Sequence, residues 1–197
     1  MGLTVAALFV DTRGAYAGLP NVELWPEARD ARCYDGPHPV VAHPPCSRWC
    51  QLAHINQKRW GARVGDDGGC FASALASVRK FGGVLEHPAF SYAWPAFKLP
   101  TPVRGGWMQS TTDQGWVAEV SQAAYGHRAR KLTWLYYVGA APPPSLNWSR
   151  PSPTAQVSFC ANHGNSALPR IAKKAASATP EAFRDLLLSM ARAAVAP

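Results

Sequence analysis

The sequence predicts an α/β fold, a central sheet with flanking helices, on three observations. Short apolar runs with β-branched residues end in turn residues, as buried strands do: LTVAALFV at 3–10, PVVAH at 39–43, VLEHP at 84–88 and LTWLYYVG at 132–139. Between and after them lie stretches with helical spacing, above all 67–81 and 178–194. Strands alternating with helices put ligands at the carboxyl ends of the strands.

Each remaining element has its own warrant. VELW at 22–25 reads as a further strand. The intervening GAYAGLPN is too short and too rich in glycine and proline for a full helix. In residues 67–81, apolar side chains at 71, 74, 75, 78 and 81 share one helix face. Asp66 and Asp67 stand at the start, where a helix dipole favours them, and Gly82-Gly83 ends the helix. WVAEVSQAAYG at 116–126 fits a strand or a helix, with helix the preferred reading, and the proline- and serine-rich residues 140–156 read as a loop or linker. At 178–194 Thr179 is the expected N-cap, Pro180 the first helical residue, and Glu181 a first-turn acid.

At 197 residues the chain suffices for one full-sized domain with a core. No stretch approaches the ~20 apolar residues of a membrane span, so no membrane partner is expected. MGLTVAALFVDTRG lacks the basic region and cleavage site of a secretory signal, and Ala6 stands where a myristoylation signal has Ser or Thr. Five cysteines without framework spacing favour a reducing, cytoplasmic setting. The net charge of +8 suits a polyanionic partner such as DNA.

The chemistry concentrates in HPPC at 43–46 and EHP at 86–88, both at predicted strand ends, with Cys46 and Glu86 separated by 40 positions. Two prolines remove backbone donors and force extended geometry, which holds the next side chain still. Cys46 is thereby a positioned nucleophile, a metal ligand or a buried thiol. His43, Cys46, Cys50 and His54 spell H-x2-C-x3-C-x3-H, a spacing that zinc could use. PCSRWC is one residue too long for the P-C-x-x-C of a zinc deaminase, and EHP follows it in the wrong order.

Pro-Pro-Cys after one strand, Glu-x-Pro after the next, and Arg128-x-Arg130 before a later strand resemble the DNA cytosine-5 methyltransferases. The resemblance spans roughly residues 1–139, a catalytic core, with a weaker echo in ATPEAF. It implies a Rossmann-like methyltransferase-type sheet, truncated here. It also leaves 140–177 as a short recognition or linker segment and 178–197 as a helix packing on the core. It makes Cys46 the nucleophile that attacks C6 of a flipped-out cytosine and Glu86 the carboxylate that holds and protonates N3. Arg128 and Arg130 would steady the base. C5 would then take a methyl group from S-adenosylmethionine, with Phe9, Asp11, Gly14 and Glu23 the candidate cofactor residues. Because Leu19-Pro20-Asn21 interrupts any helix after the first strand, cofactor affinity is expected to be weak until DNA completes the pocket.

The residue types suit that chemistry independently. A pyrimidine C6 is a weak, soft electrophile that calls for a thiolate, and addition is eased by protonating N3. Nearby cations lower a thiol pKa; Arg48, Arg128 and Arg130 are candidates. Arg48, Lys58, Arg59, Arg63 and Lys131 suit phosphate contacts, or form plain surface runs. Trp49 and Trp60 could stack on a base or pack in the core. His127 reads as a surface or capping residue, and Cys33, Cys70 and Cys160 as incidental. The short chain suits a phage or mobile-element enzyme. Two alternatives stand beside this reading: a pyrimidine C5-modifying enzyme using another donor or a free nucleotide, and an inactive DNA-binding or host-interaction protein on the same fold.

Overall fold

A computed structural model describes residues 2–139, 143–157 and 168–194. The apolar runs become strands β1 (Val5–Leu8), β2 (Val22–Trp25), β3 (Val40–Ala42), β4 (Gly83–Pro88) and β7 (Leu132–Val138). Two more, β5 (Trp107–Gln109) and β6 (Trp116–Ser121), complete a seven-stranded sheet of order β2-β1-β3-β4-β7-β6-β5. β1 to β4 run parallel, while β7, β6 and β5 join antiparallel. β1 and β3 are wholly buried, which is why they read as unbroken apolar runs. The result is a mixed α/β sheet with flanking helices, compatible with a Rossmann-like arrangement.

Alternation along each strand sends side chains to two separate cores. Ala6, Leu8, Val40, Ala42 and Leu85 face α2 (Cys70–Phe81), which presents Phe71, Ala74, Leu75 and Val78. Val5, Ala7, Val41, Val84, Leu135 and Tyr137 face α5 (Glu181–Ala193), which presents Phe183, Leu187, Leu188, Met190 and Ala191. The strands that carry the site touch closely: at Gly83, whose φ is +118°, a Cβ would lie 2.0 Å from the Val40 carbonyl oxygen.

Three expectations are corrected. Residues 116–126 are not a helix: β6 occupies Trp116–Ser121, and a single 3₁₀ turn, Gln122–Tyr125, follows. The strand carries a buried carboxylate, Glu119, which takes Trp134 Nε1–H at 2.9 Å and pairs with Arg150. That polar residue inside the strand obscured its alternation. The α5 N-cap is Pro180 and not Thr179, and no side chain caps it. At α2 the first turn holds no acid, but Asp67 still caps it from outside, accepting Phe71 N–H at 2.8 Å.

Elements without a strong apolar pattern fill the gaps: α1 (Ala53–Trp60), α3 (Ala93–Ala96) and α4 (Lys173–Ser177), and a two-stranded pair of β8 (Gln156–Val157) with β9 (Arg170–Ile171). Cys160 lies outside the described residues. Among the described residues, no helix is long and apolar enough to cross a membrane.

Candidate active site at the ends of β3 and β4

The chain leaves β1 toward β2 on one side and returns to β3 on the other, so the sheet has its switch point between β1 and β3. Ligands of open α/β sheets bind in the crevice beyond the strand ends at such a point. His43 continues β3, its N–H bonded to Leu8 O at 3.1 Å. It is on the same face as Val41, the α5 face. Glu86 shares a face with Val84 on the neighbouring strand, so parity brings His43 and Glu86 together.

Their contacts form one chain of hydrogen bonds. His43 Nδ1 lies 2.9 Å from Glu86 Oε2, and His43 Nε2 lies 2.8 Å from the Tyr16 hydroxyl. Gln122 Nε2 donates to Glu86 Oε1 at 3.1 Å and to Thr133 Oγ1 at 3.0 Å. His43 Nδ1–H donates to Glu86, and the Tyr16 hydroxyl, which can donate or accept, meets Nε2. Burial pushes the Glu86 carboxyl upward, but the His43 bond and the charges of His43 and Lys131 overcome it and hold the group down at about 2. Glu86 is therefore a carboxylate at neutral pH. Burial, with the Glu86 charge, drives the Tyr16 hydroxyl well above its usual range, so it stays a donor.

Cys46 opens the turn after the two prolines. Its carbonyl accepts Trp49 N–H at 2.9 Å and Cys50 N–H at 2.8 Å, which fixes the backbone that carries the thiol. Burial raises the thiol to about 11, helped by the charges of Cys50 and Glu86 and opposed by its own backbone N–H and Lys131. In the resting protein it is protonated. Burial lowers Lys131, while Glu86 and Cys46 pull it back up. Cys46, Glu86 and Lys131 are thus close enough to act on one another electrostatically. Lys131 Nζ also donates to Ser177 O (3.2 Å) and Ala178 O (2.9 Å), which anchors the approach to α5.

Other expected residues are placed elsewhere. Arg128 and Arg130 are exposed; their carbonyls accept Thr154 and Ala155 N–H and the Ser121 hydroxyl respectively. The cation acting on both Cys46 and Glu86 is the next residue, Lys131. His87 faces the opposite core, against Phe71 and Trp94. Neither ring nitrogen makes a well-formed hydrogen bond, although the Pro45 carbonyl is near enough to favour its charge. Burial holds His87 down at about 4. Trp49 is a core residue that donates its indole N–H to Asp67 at 2.8 Å. His127 is buried, not a surface residue, and bonds the Ala129 backbone. Arg48 is half-buried, and Lys58, Arg59 and Arg63 are exposed; none of the four forms an ion pair among the described residues.

The zinc pattern does not assemble. His43 has both ring nitrogens engaged, His54 packs edge-on against Tyr92 at 4.9 Å, and no cluster of three metal-ligating side chains occurs among the described residues.

The residues after β1 do not form an adenosylmethionine cradle. Residues 9–21 make turns and no helix, so they supply no helix N-terminus to the crevice. Asp11 is exposed and accepts Arg13 N–H at 2.8 Å in a local turn. Gly14 lacks the left-handed backbone that requires glycine. Glu23 pairs in mid-strand with Ala6 and forms an ion pair with Arg29 at 2.6 Å. Phe9, with φ of +59°, packs against the α2-side core.

Sequence reasoning missed Tyr16 and Gln122 altogether and weighed His43 only as a metal ligand. A strand parity shared by Val41 and His43 was the available signal for His43. Gln122 was hidden because 116–126 was read as a helix. Comparison with protein-family models, curated proteins and solved structures finds no match.

Proposed function

We infer that the chain is a compact DNA cytosine-5 methyltransferase-like enzyme whose Cys46 adds to C6 of a pyrimidine and so activates C5. The observation that carries this reading is that Cys46 and Glu86 stand toward the carboxyl ends of the adjacent parallel strands β3 and β4, with Lys131 leading into β7 on the other side of β4.

In the addition the thiol loses one proton and cytosine N3 gains one. Because Glu86 is a weak base at rest and the thiol a weak acid, the proton passes by way of Glu86 to N3 only in concert with S–C6 bond formation. Its two oxygens each keep a free lone pair after accepting from His43 and Gln122. His43, Tyr16 and Gln122 hold the carboxylate in place, and Lys131 stabilises the thiolate as it develops. The electron pair displaced from the C5–C6 bond makes C5 nucleophilic. Once C5 has taken an electrophile, a solvent deuteron in the simplest case, loss of the C5 proton, departure of the thiolate and return of the N3 proton through Glu86 restore the aromatic ring. Transfer of a one-carbon group to C5 rests on the resemblance. Since residues 9–21 do not fit adenosylmethionine, no step is assigned to that donor.

The addition and its reversal need no donor, so the test is exchange at C5. A cytosine-containing oligonucleotide in D₂O should acquire deuterium at C5 with the parent protein and not with Cys46→Ala. Equal exchange with both proteins overturns the assignment. The inactive-fold alternative predicts none with either.

A further inference from the structure

Outside the site, one surface combines exposed apolar side chains with cations that form no ion pair among the described residues. Seven large apolar residues are the most exposed among the described residues, and four of them, Leu52, Ile55, Phe90 and Tyr92, fall on two short segments. Those segments are joined. Tyr92 N–H donates to Trp49 O at 2.8 Å, and its ring meets His54 edge-on at 4.9 Å. Asn56 Nδ2 reaches back to Ser47 O at 3.3 Å, so the helix is tied to the turn that carries Cys46.

α1 itself buries only Ala53. Its remaining residues are exposed or half-buried. His54, Ile55, Lys58 and Arg59 share one face by helical spacing and line a shallow groove. Residues 36–65 contain no Asp or Glu, whereas Arg48, Lys58, Arg59 and Arg63 all fall within them. The next acids along the chain are Asp66, which is exposed, and Asp67, which Trp49 engages. The apolar groups beside the cations are partly open to solvent, with Ile55 47% and Phe90 46% exposed, the Phe90 ring also resting against Trp134 at 5.3 Å.

We propose that the α1 face and the Phe90–Tyr92 turn form a platform for single-stranded nucleic acid, with bases on Tyr92, Phe90 and Ile55 and phosphates on Lys58 and Arg59. Cations tracking a backbone beside exposed aromatic faces are what binding of unpaired strands uses. A duplex hides its base faces and would meet only the cations. This inference deepens the function proposed above by naming the form of the substrate, and the ledge begins at the Cys46 turn. It does not depend on covalent chemistry.

The test is fluorescence anisotropy of the full chain with labelled oligothymidylate and with a duplex of equal length, across salt concentrations. Oligothymidylate contains no cytosine, so binding to it is independent of Cys46, and Cys46→Ala should bind equally. The single strand should bind more tightly. Tyr92→Ala should weaken single-strand binding roughly 5- to 150-fold, the range for one base–aromatic stack. Lys58→Ala/Arg59→Ala should reduce the slope of log affinity against log salt by about 1.4, at ~0.7 per phosphate on single strands. Trp60 serves as the control: it is exposed, but helical spacing turns it away from the groove face, and Trp60→Ala should change affinity less than twofold. Equal affinity for duplex, or an unchanged salt slope in the double variant, overturns the proposal. So does binding only to anionic vesicles, or self-association that Tyr92→Ala abolishes. Loss of C5 exchange with this binding intact would instead remove the proposed function alone.

Discussion

The carboxyl ends of β1 and β2 and those of β3 and β4 belong to one edge of one sheet, yet they differ in what their polar groups do. After β1, Asp11 bonds its own turn, and on β2 Glu23 pairs with the neighbouring Arg29. After β3 and β4, polar groups from distant parts of the chain converge. Tyr16 and Gln122 lie 27 and 36 positions from the partners they bond, and His43 and Glu86 are 43 apart. Local bonds of the first kind shape a turn and leave nothing to offer a ligand. Long-range bonds of the second kind order several segments at once, which is worthwhile only where position matters. The reactive half of the edge is β3–β4. The cofactor half that the resemblance implies is not built in residues 9–23.

The largest expected effect breaks this comparison if it fails. Glu86→Gln should slow C5 exchange by ~10²–10⁴-fold, the usual worth of acid–base assistance, while single-strand affinity is unchanged. Glu23→Gln, at the other half of the edge, should leave the exchange rate as it is. Rates measured by mass spectrometry of the oligonucleotide distinguish the two.

The next prediction separates the two faces of β4. Glu86 faces the site, and His87 faces the α2 core, where burial holds it at about 4 against an ordinary 6.5. The unfolded chain then binds a proton that the folded protein refuses, so stability falls as pH drops below 6.5 and levels off below about 4. Between pH 7 and 5 the loss should be on the order of 2 kcal/mol. Urea midpoints should show it in the parent and not in His87→Leu. Glu86 acts in a lower window. Its contribution is fully present above its unfolded value of 4.5 and is lost as pH falls toward about 2.

The smallest effect belongs to the β1–β2 crossover. Gly14 is exposed with an ordinary backbone, and an added Cβ would meet only the adjacent Asp11 carbonyl at 3.2 Å and side chain at 3.3 Å. Gly14→Ala should change stability by no more than about 0.5 kcal/mol, as surface substitutions do, and calorimetry should show no heat with adenosylmethionine alone. A large loss, or tight binding of that molecule by the free protein, would mean the crossover is a built cofactor site.

The same contrast governs what could be read from the sequence. Buried strands and amphipathic helices announce themselves by apolar pattern, so β1, β3, β4, β7, α2 and α5 were legible. α1 was not, because only Ala53 of its eight residues is buried and no periodicity results. β6 was misread because Glu119 sits inside it, satisfied by Trp134 and Arg150 from elsewhere in the chain. Cys46 and Glu86 stood out as reactive types at strand ends. Tyr16 and Gln122 did not, because their importance lies in a long-range bond that no local spacing records. The choice of Lys131 over Arg128 and Arg130 depended on which side chain the turn before β7 directs inward, and three adjacent cations look alike in sequence.

The central claim is that the Cys46 thiol forms a bond to a pyrimidine C6, and it can be tested without knowing the donor. A 2-pyrimidinone base, lacking the 4-amino group, has a more electrophilic C6 and should accumulate as the thiol adduct. The parent protein is incubated with a single-stranded oligonucleotide containing that base, and intact mass is measured before and after digestion. The mass should increase by one oligonucleotide, mapped to the peptide containing Cys46 and absent from Cys46→Ala. No adduct on the parent, or an equal adduct on Cys46→Ala through another cysteine, would contradict it.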